Sequence, residues 1–173
     1  MNIKIIDKTL ALMTAACTIG AALSLAVMAF VGAGDIFGIN VFQKGIPGAN
    51  QIAEEALAAA FFLGLPFAQR KAAHVDVDIL TSLFSQKVQN RLLAFTQLFV
   101  ACMLTFLAWK AFDAAQRSYQ VNETTMGALI FAIWPVKTAM VVGLVVSIFE
   151  ALRQVILSIF APVTNQQQMS QAI

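Results

Sequence analysis

The chain reads as an all-α membrane protein of four transmembrane helices, and three observations lead there. Residues Thr9 to Gly34 run for 26 positions without one charged side chain. Further apolar stretches follow at intervals up to about residue 160. Hydrophobic residues make up 60% of the 173 and charged residues 12%, about half the charged share of a soluble domain. A hydrocarbon core ~30 Å thick is crossed by ~20 apolar residues of helix, because each residue rises ~1.5 Å and lipid offers no partner to an unpaired amide.

The first span is expected at about residues 9–33. Lys4 and Lys8 precede it and Val31-Gly32-Ala33 resembles a cleavage site, but a signal core is only ~7–15 apolar residues long, so the segment is read as retained. The second is placed at 49–70. Its uncharged part, Ala56 to Gln69, is too short to cross alone, which puts Glu54 and Glu55 in its first turns. The third, at 92–112, follows Arg91 and continues as helix past the membrane. The fourth, at 134–157, opens on an interfacial Trp134 with Pro135 at the first helical position, and Lys137 snorkels back to the surface. Residues 1–173 form a single four-span domain on this reading.

Between spans two and three, Ile79, Leu80, Leu83, Phe84, Val88 and Leu92 fall on one helical face. Asp78, Ser82, Ser85, Gln86, Gln89 and Asn90 fall on the other, with Asp78 placed to cap the start. This predicts an amphipathic helix over 78–91 lying in the cytoplasmic interface, with Lys87 and Arg91 toward headgroups. Met126 to Ile133 is a second apolar piece, too short to span, expected to dip into the opposite face. Four spans bring both termini to one side. Lys4, Lys8, Arg70, Lys71, Lys87, Arg91 and Arg153 share that side, against Lys44, Lys110, Arg117 and Lys137 on the other. The excess of positive charge puts both termini in the cytoplasm.

Composition also removes whole classes of function. A formal charge of +2 and no basic cluster argue against a nucleic-acid partner. Cys17 and Cys102 sit inside apolar stretches and read as small buried hydrophobes. One histidine rules out haem ligation by two histidines of this chain, and one tyrosine, Tyr119, does not furnish the cluster a four-span glutathione-using enzyme needs. His74, Asp76 and Asp78 alternate as metal ligands do in extended chain, but no second cluster completes a site. A loop leading into a capped helix accounts for them, so no metal, cofactor or catalytic group is expected.

What remains as candidate function is polar or small. Glu54 and Glu55 lie at membrane depth, where a carboxylate is costly and marks a solvated cap, a subunit contact or an ion path. Ala56, Ala60, Gly64 and Ala68 repeat every four residues down span two, a small-residue stripe that lets another helix approach, within this chain or from a second subunit. Pro66 should kink that helix. Arg70 and Lys71 read as its cytoplasmic anchor, and Glu150 and Arg153 as an ion pair on a helix surface.

Taken in order, several segments resemble the small membrane subunit, DctQ-type, of tripartite ATP-independent periplasmic (TRAP) transporters. They are Asp35-Ile36-Phe37-Gly38; Pro47 through Glu54-Glu55; Phe62-Leu63-Gly64; Ala68 and Arg70; His74-Val75-Asp76-Val77-Asp78-Ile79-Leu80; Glu123-Thr124-Thr125; and Ile133-Trp134-Pro135. The likeness covers roughly residues 10–158. It implies a non-catalytic accessory subunit in a bacterial inner membrane. A large membrane subunit, DctM-type, would carry substrate and sodium, a periplasmic solute-binding protein would deliver an organic acid, and this chain would brace the scaffold. The alternative is a self-contained homodimeric antiporter that exchanges protons on Glu54 or Glu55.

Overall fold

A computed structural model describes residues 3–72, 86–125 and 129–160. They form four helices: α1 over Ile3–Phe42, α2 over Ala49–Ala72, α3 over Gln86–Gln120 and α4 over Trp134–Phe160. Each contains a window long and apolar enough to cross a membrane. α1 and α3 run well past the expected spans, whereas α2 and α4 exceed theirs by only two and three residues. α1 continues for nine residues beyond Ala33, because nothing in Gly34–Phe42 breaks a helix strongly enough to outweigh continuation. It stops where Gln43 turns to a positive φ of 55° and its amide bonds the Ile39 carbonyl. The last residues of the expected amphipathic helix, 86–91, are the first turns of α3; its beginning at 78–85 lies outside the described residues.

Successive helices along the chain reverse direction and pack as an open row in the order α1, α2, α4, α3, so the neighbours α2 and α4 run the same way. Chain order and spatial order differ, because α4 inserts between α2 and α3. α1 meets α4 only lightly, so the row does not close into a bundle with a continuous centre. What core exists is small: Leu10 and Cys17 of α1 with Val146 of α4, flanked by Leu63 of α2. Most large apolar side chains point outward, Phe30 at 80% exposure being an extreme. In water that would be unstable; in lipid the outward face is already solvated by acyl chains. Cys17 is buried as expected, whereas Cys102 faces outward on α3.

Backbones approach most closely where α4 crosses α2. A Cβ built on Gly143 would stand 2.1 Å from the Phe62 carbonyl oxygen and 2.6 Å from its carbon, so only glycine fits. Pro66, four residues after Phe62, has no N–H to give that carbonyl. The oxygen that Pro66 leaves short of a donor is therefore the one met by the Gly143 Cα, a weak C–H···O contact of the kind common between membrane helices. α2 remains one unbroken helix through Pro66.

At the opposite end from the α1 start, the α3–α4 connection folds back on itself. Thr124 pairs with Ala132 as an isolated antiparallel bridge, supported by Thr125 N–H to Phe131 O and Ile133 N–H to Glu123 O, both 3.0 Å. Tyr119 and Trp134 stack edge to face at 5.5 Å beside it. Of the expected dipping segment, Leu129–Ile133 therefore returns over the helix ends: Leu129 lies against Gly48, whose φ of +77° starts the turn into α2.

The Gly143 contact separates two outcomes. Gly143→Ala should lower thermal stability in detergent by about 1–3 kcal/mol, because the added methyl meets backbone that cannot move aside. Gly64→Ala, with nothing within 4 Å of the new Cβ, should leave the melting curve of the isolated chain unchanged.

Candidate functional site

The described site residues do not gather at one place. Arg70 lies at the end where α1 and α3 begin. Glu54, Glu55 and Ala56 lie toward the opposite end, near the start of α2. His74, Asp76 and Asp78 lie outside the described residues.

Arg70 is more than an anchor. Its Nη1 donates to Glu150 Oε1 at 2.9 Å, and its Nη2 stands 3.5 Å from Asp7 Oδ1. Arg153 Nε donates to Glu150 Oε2 at 2.8 Å and its Nη1 to Asp7 Oδ1 at 3.0 Å. Thr14 Oγ1 adds a donor to Glu150 Oε1 at 2.9 Å. Two cations and two anions from α1, α2 and α4 thus close a neutral cluster. The Glu150 side chain is 0% exposed at its centre, so the expectation of a surface pair at Glu150 and Arg153 is corrected. The pair exists, but it is buried by α1 and α2, which a helix-spacing argument on α4 alone does not see. A layer of amides lies beside it: Gln69 Nε2 donates to Gln97 Oε1 at 2.6 Å, and Gln154 Nε2 donates to the Gln69 carbonyl. That layer ties α3 to α2 and α4. Sequence reasoning missed Asp7, Thr14 and the glutamines. The available signal was that Asp7, Arg70 and Arg153 all fall at the same end of their spans.

The small-residue stripe divides. Ala60 is buried within the chain and Ala56 lines a groove. Gly64 has open space beyond its Cα and Ala68 is exposed. Only the lower half of the stripe is therefore free for another helix.

Glu54 is exposed, while Glu55 is partly buried in the wall of a 490 Å³ groove. Leu23 and Val27 of α1, Ala59 of α2, Phe131 of the returning loop and Val136 of α4 supply much of the apolar lining. Beside it Lys137 Nζ bonds the Glu123 carboxylate, pinning the loop to the first turn of α4. That bond holds Glu123 below the usual carboxylate range.

Among the described residues, no group of three His, Cys, Asp or Glu side chains could hold a metal. The arrangement offers a charge clasp at one end, a groove with one carboxylate at the other, and apolar helix faces between them.

Two measurements follow from these contacts. Glu150→Ala leaves Arg70 and Arg153 facing each other without a buried anion and should cost about 3–5 kcal/mol in chemical or thermal unfolding. Asp7→Ala should cost less, since the Asp7 side chain is 40% exposed and water can replace it. For Glu123 the folded-state pKa is depressed, so its stabilisation of the loop is complete above the ordinary value near ~4.3 and is lost as pH falls through the lowered one. Exchange at the Thr125 and Ile133 amides, corrected for intrinsic rate, should accelerate on that acidification. In Lys137→Met it should already be fast at neutral pH.

The family described as tripartite ATP-independent periplasmic transporters, DctQ component, matches residues 28–161. No curated protein and no solved structure matches the chain. The matched region takes in most of the chain, including α2, α3, Glu54 and Glu55, Arg70, and the Glu150 and Arg153 side of the clasp. On that match, carried by four membrane-length helices, the chain belongs to the DctQ family of TRAP transporter components.

Proposed function

We propose that this chain is the small accessory subunit of a sodium-coupled organic-acid importer in a bacterial inner membrane, bracing a large DctM-type subunit that carries the substrate. The observation that carries the reading is the open row of helices. Four helices expose long apolar faces and gather several of their ionisable groups into local pairs and a clasp near the helix ends. A complete secondary transporter instead builds paired polar sites at the midplane from broken helices. A row of this kind suits a scaffold completed by a second membrane protein.

On this reading both termini are cytoplasmic, which places the Asp7–Arg70–Glu150–Arg153 clasp at the cytoplasmic end. Gly64 and Ala68 present the close-approach face to the large subunit. The amphipathic segment 78–91 grips the same partner or the headgroup layer. The α1–α2 and α3–α4 connections, with the flanking helix ends from Asp35 and Asp113 onward, face the periplasm and help receive a solute-binding protein. The rival antiporter reading gains no support from membership in a transporter-component family.

Purifying the tagged chain from its native membrane in mild detergent tests the proposal. A much larger multi-span protein should accompany it in about equal amount by mass spectrometry, and Gly64→Phe or Ala68→Phe should reduce that recovery without unfolding the chain. A chain recovered alone or as a homodimer would overturn the accessory-subunit reading.

A further inference from the structure

The groove at the start of α2 holds a carboxyl group that no cation among the described residues pairs with. Glu55 stands six residues into α2, ~9 Å along its axis, within the stretch apolar enough to span a membrane. Of the ten side chains lining the groove, only Glu55 and Ser24 are polar, and Ser24 Oγ is turned away to donate to the Gly20 carbonyl at 3.0 Å. Glu55 forms no ion pair among the described residues. The cation whose field reaches it, Lys137, is bonded to Glu123. The other buried or half-buried carboxylates of the described helices have partners: Glu150 and Asp7 share two arginines, Asp113 pairs with Arg117, and Asp35 accepts the Ile46 amide at the helix end.

We propose that this groove receives a basic side chain, Lys or Arg, projecting from a transmembrane helix of the large membrane subunit, with Glu55 as its counter-ion. The inference rests on the accessory-subunit reading and assigns it a specific contact. Charge complementarity selects the occupant. An acyl chain would fill the apolar walls but leave the carboxylate unpaired in a medium where that is costly. A phospholipid that brought its amine to this depth would drag a phosphate toward Glu55. A basic residue on a helix has a long apolar stem to lie along Val27, Ala56 and Ala59 and a charged tip to reach the carboxylate. One such desolvated pair fixes the rotation and height of one helix against another, and it rejects partners that lack the cation. Glu54, exposed on the adjoining face, adds a favourable field at the mouth. Gly48 lets Leu129, part of the groove's lining, lie close to the start of α2, since a Cβ there would lie 2.4 Å from that of Leu129.

The test uses the complex recovered from native membranes. Glu55→Gln keeps the shape and removes the charge, so the isolated chain should melt as before while recovery of the large subunit falls about tenfold or more, the equivalent of one lost ion pair. Glu55→Lys should lower it further, and Glu55→Asp should retain most of it. A photo-crosslinking side chain at Ile52, on the groove wall, should label the large subunit on a helix segment containing Lys or Arg. A wild-type complex that Glu55→Gln leaves intact, with Ile52 labelling lipid or nothing, would overturn this proposal and leave the accessory-subunit reading standing. A wild-type chain that brings down no larger membrane protein would overturn both.

Discussion

Glu150 has no contact with solvent, and it keeps its charge company with Arg70 on one side and Arg153 on the other. Three helices must be in register for that to happen. α4 supplies the carboxylate and one guanidinium, α2 supplies the second, and α1 supplies Thr14 together with Asp7, which closes the cluster by bridging both arginines. Sliding any one helix by a turn, ~5.4 Å, would strand a charge away from water. A buried ionic cluster adds little net stability over apolar packing of the same volume, but breaking it is costly. Its effect here is to specify one arrangement of helices among the several that apolar surfaces alone would accept.

Such specification matters because lipid removes the usual driving force. Helix faces gain nothing by leaving acyl chains for each other except through close packing and polar contacts. The fold uses both. Gly143 lets α4 touch the α2 backbone at the carbonyl that Pro66 leaves without a donor, and the Gln69, Gln97 and Gln154 layer holds α3 beside them. Elsewhere the four helices stand in a row with outward apolar faces. A subunit of a larger transporter has reason to stay open in this way, since a closed bundle would use up the surface that assembly requires.

The two ends of the row differ in kind. One end is a clasp in which every charge is answered within the chain. The other holds a returning loop, its Glu123–Lys137 pin, and the groove where Glu55 stands in an apolar wall. That asymmetry leaves one end locked within the chain and the other with an open apolar groove.

The existence of four membrane helices was decided by the chain's chemistry alone. Uncharged runs as long as Thr9–Gly34 have no stable alternative to helix in lipid, because each amide needs a partner and only the i−4 carbonyl is at hand. The start of α4 at Trp134-Pro135 and of α2 near Ala49 was legible for the same local reasons. Local periodicity also placed Glu150 and Arg153 on one face of α4, and there its reach ended. Whether that face meets water or two other helices depends on the order of the row, and the insertion of α4 between α2 and α3 is a long-range fact that no window of sequence contains. The same insertion set Gly143 against Phe62 and divided the Ala56–Ala68 stripe into an internal and a free half. Helix formation is a contract between near neighbours and can be read from them; burial of a charge is settled only when distant helices arrive around it.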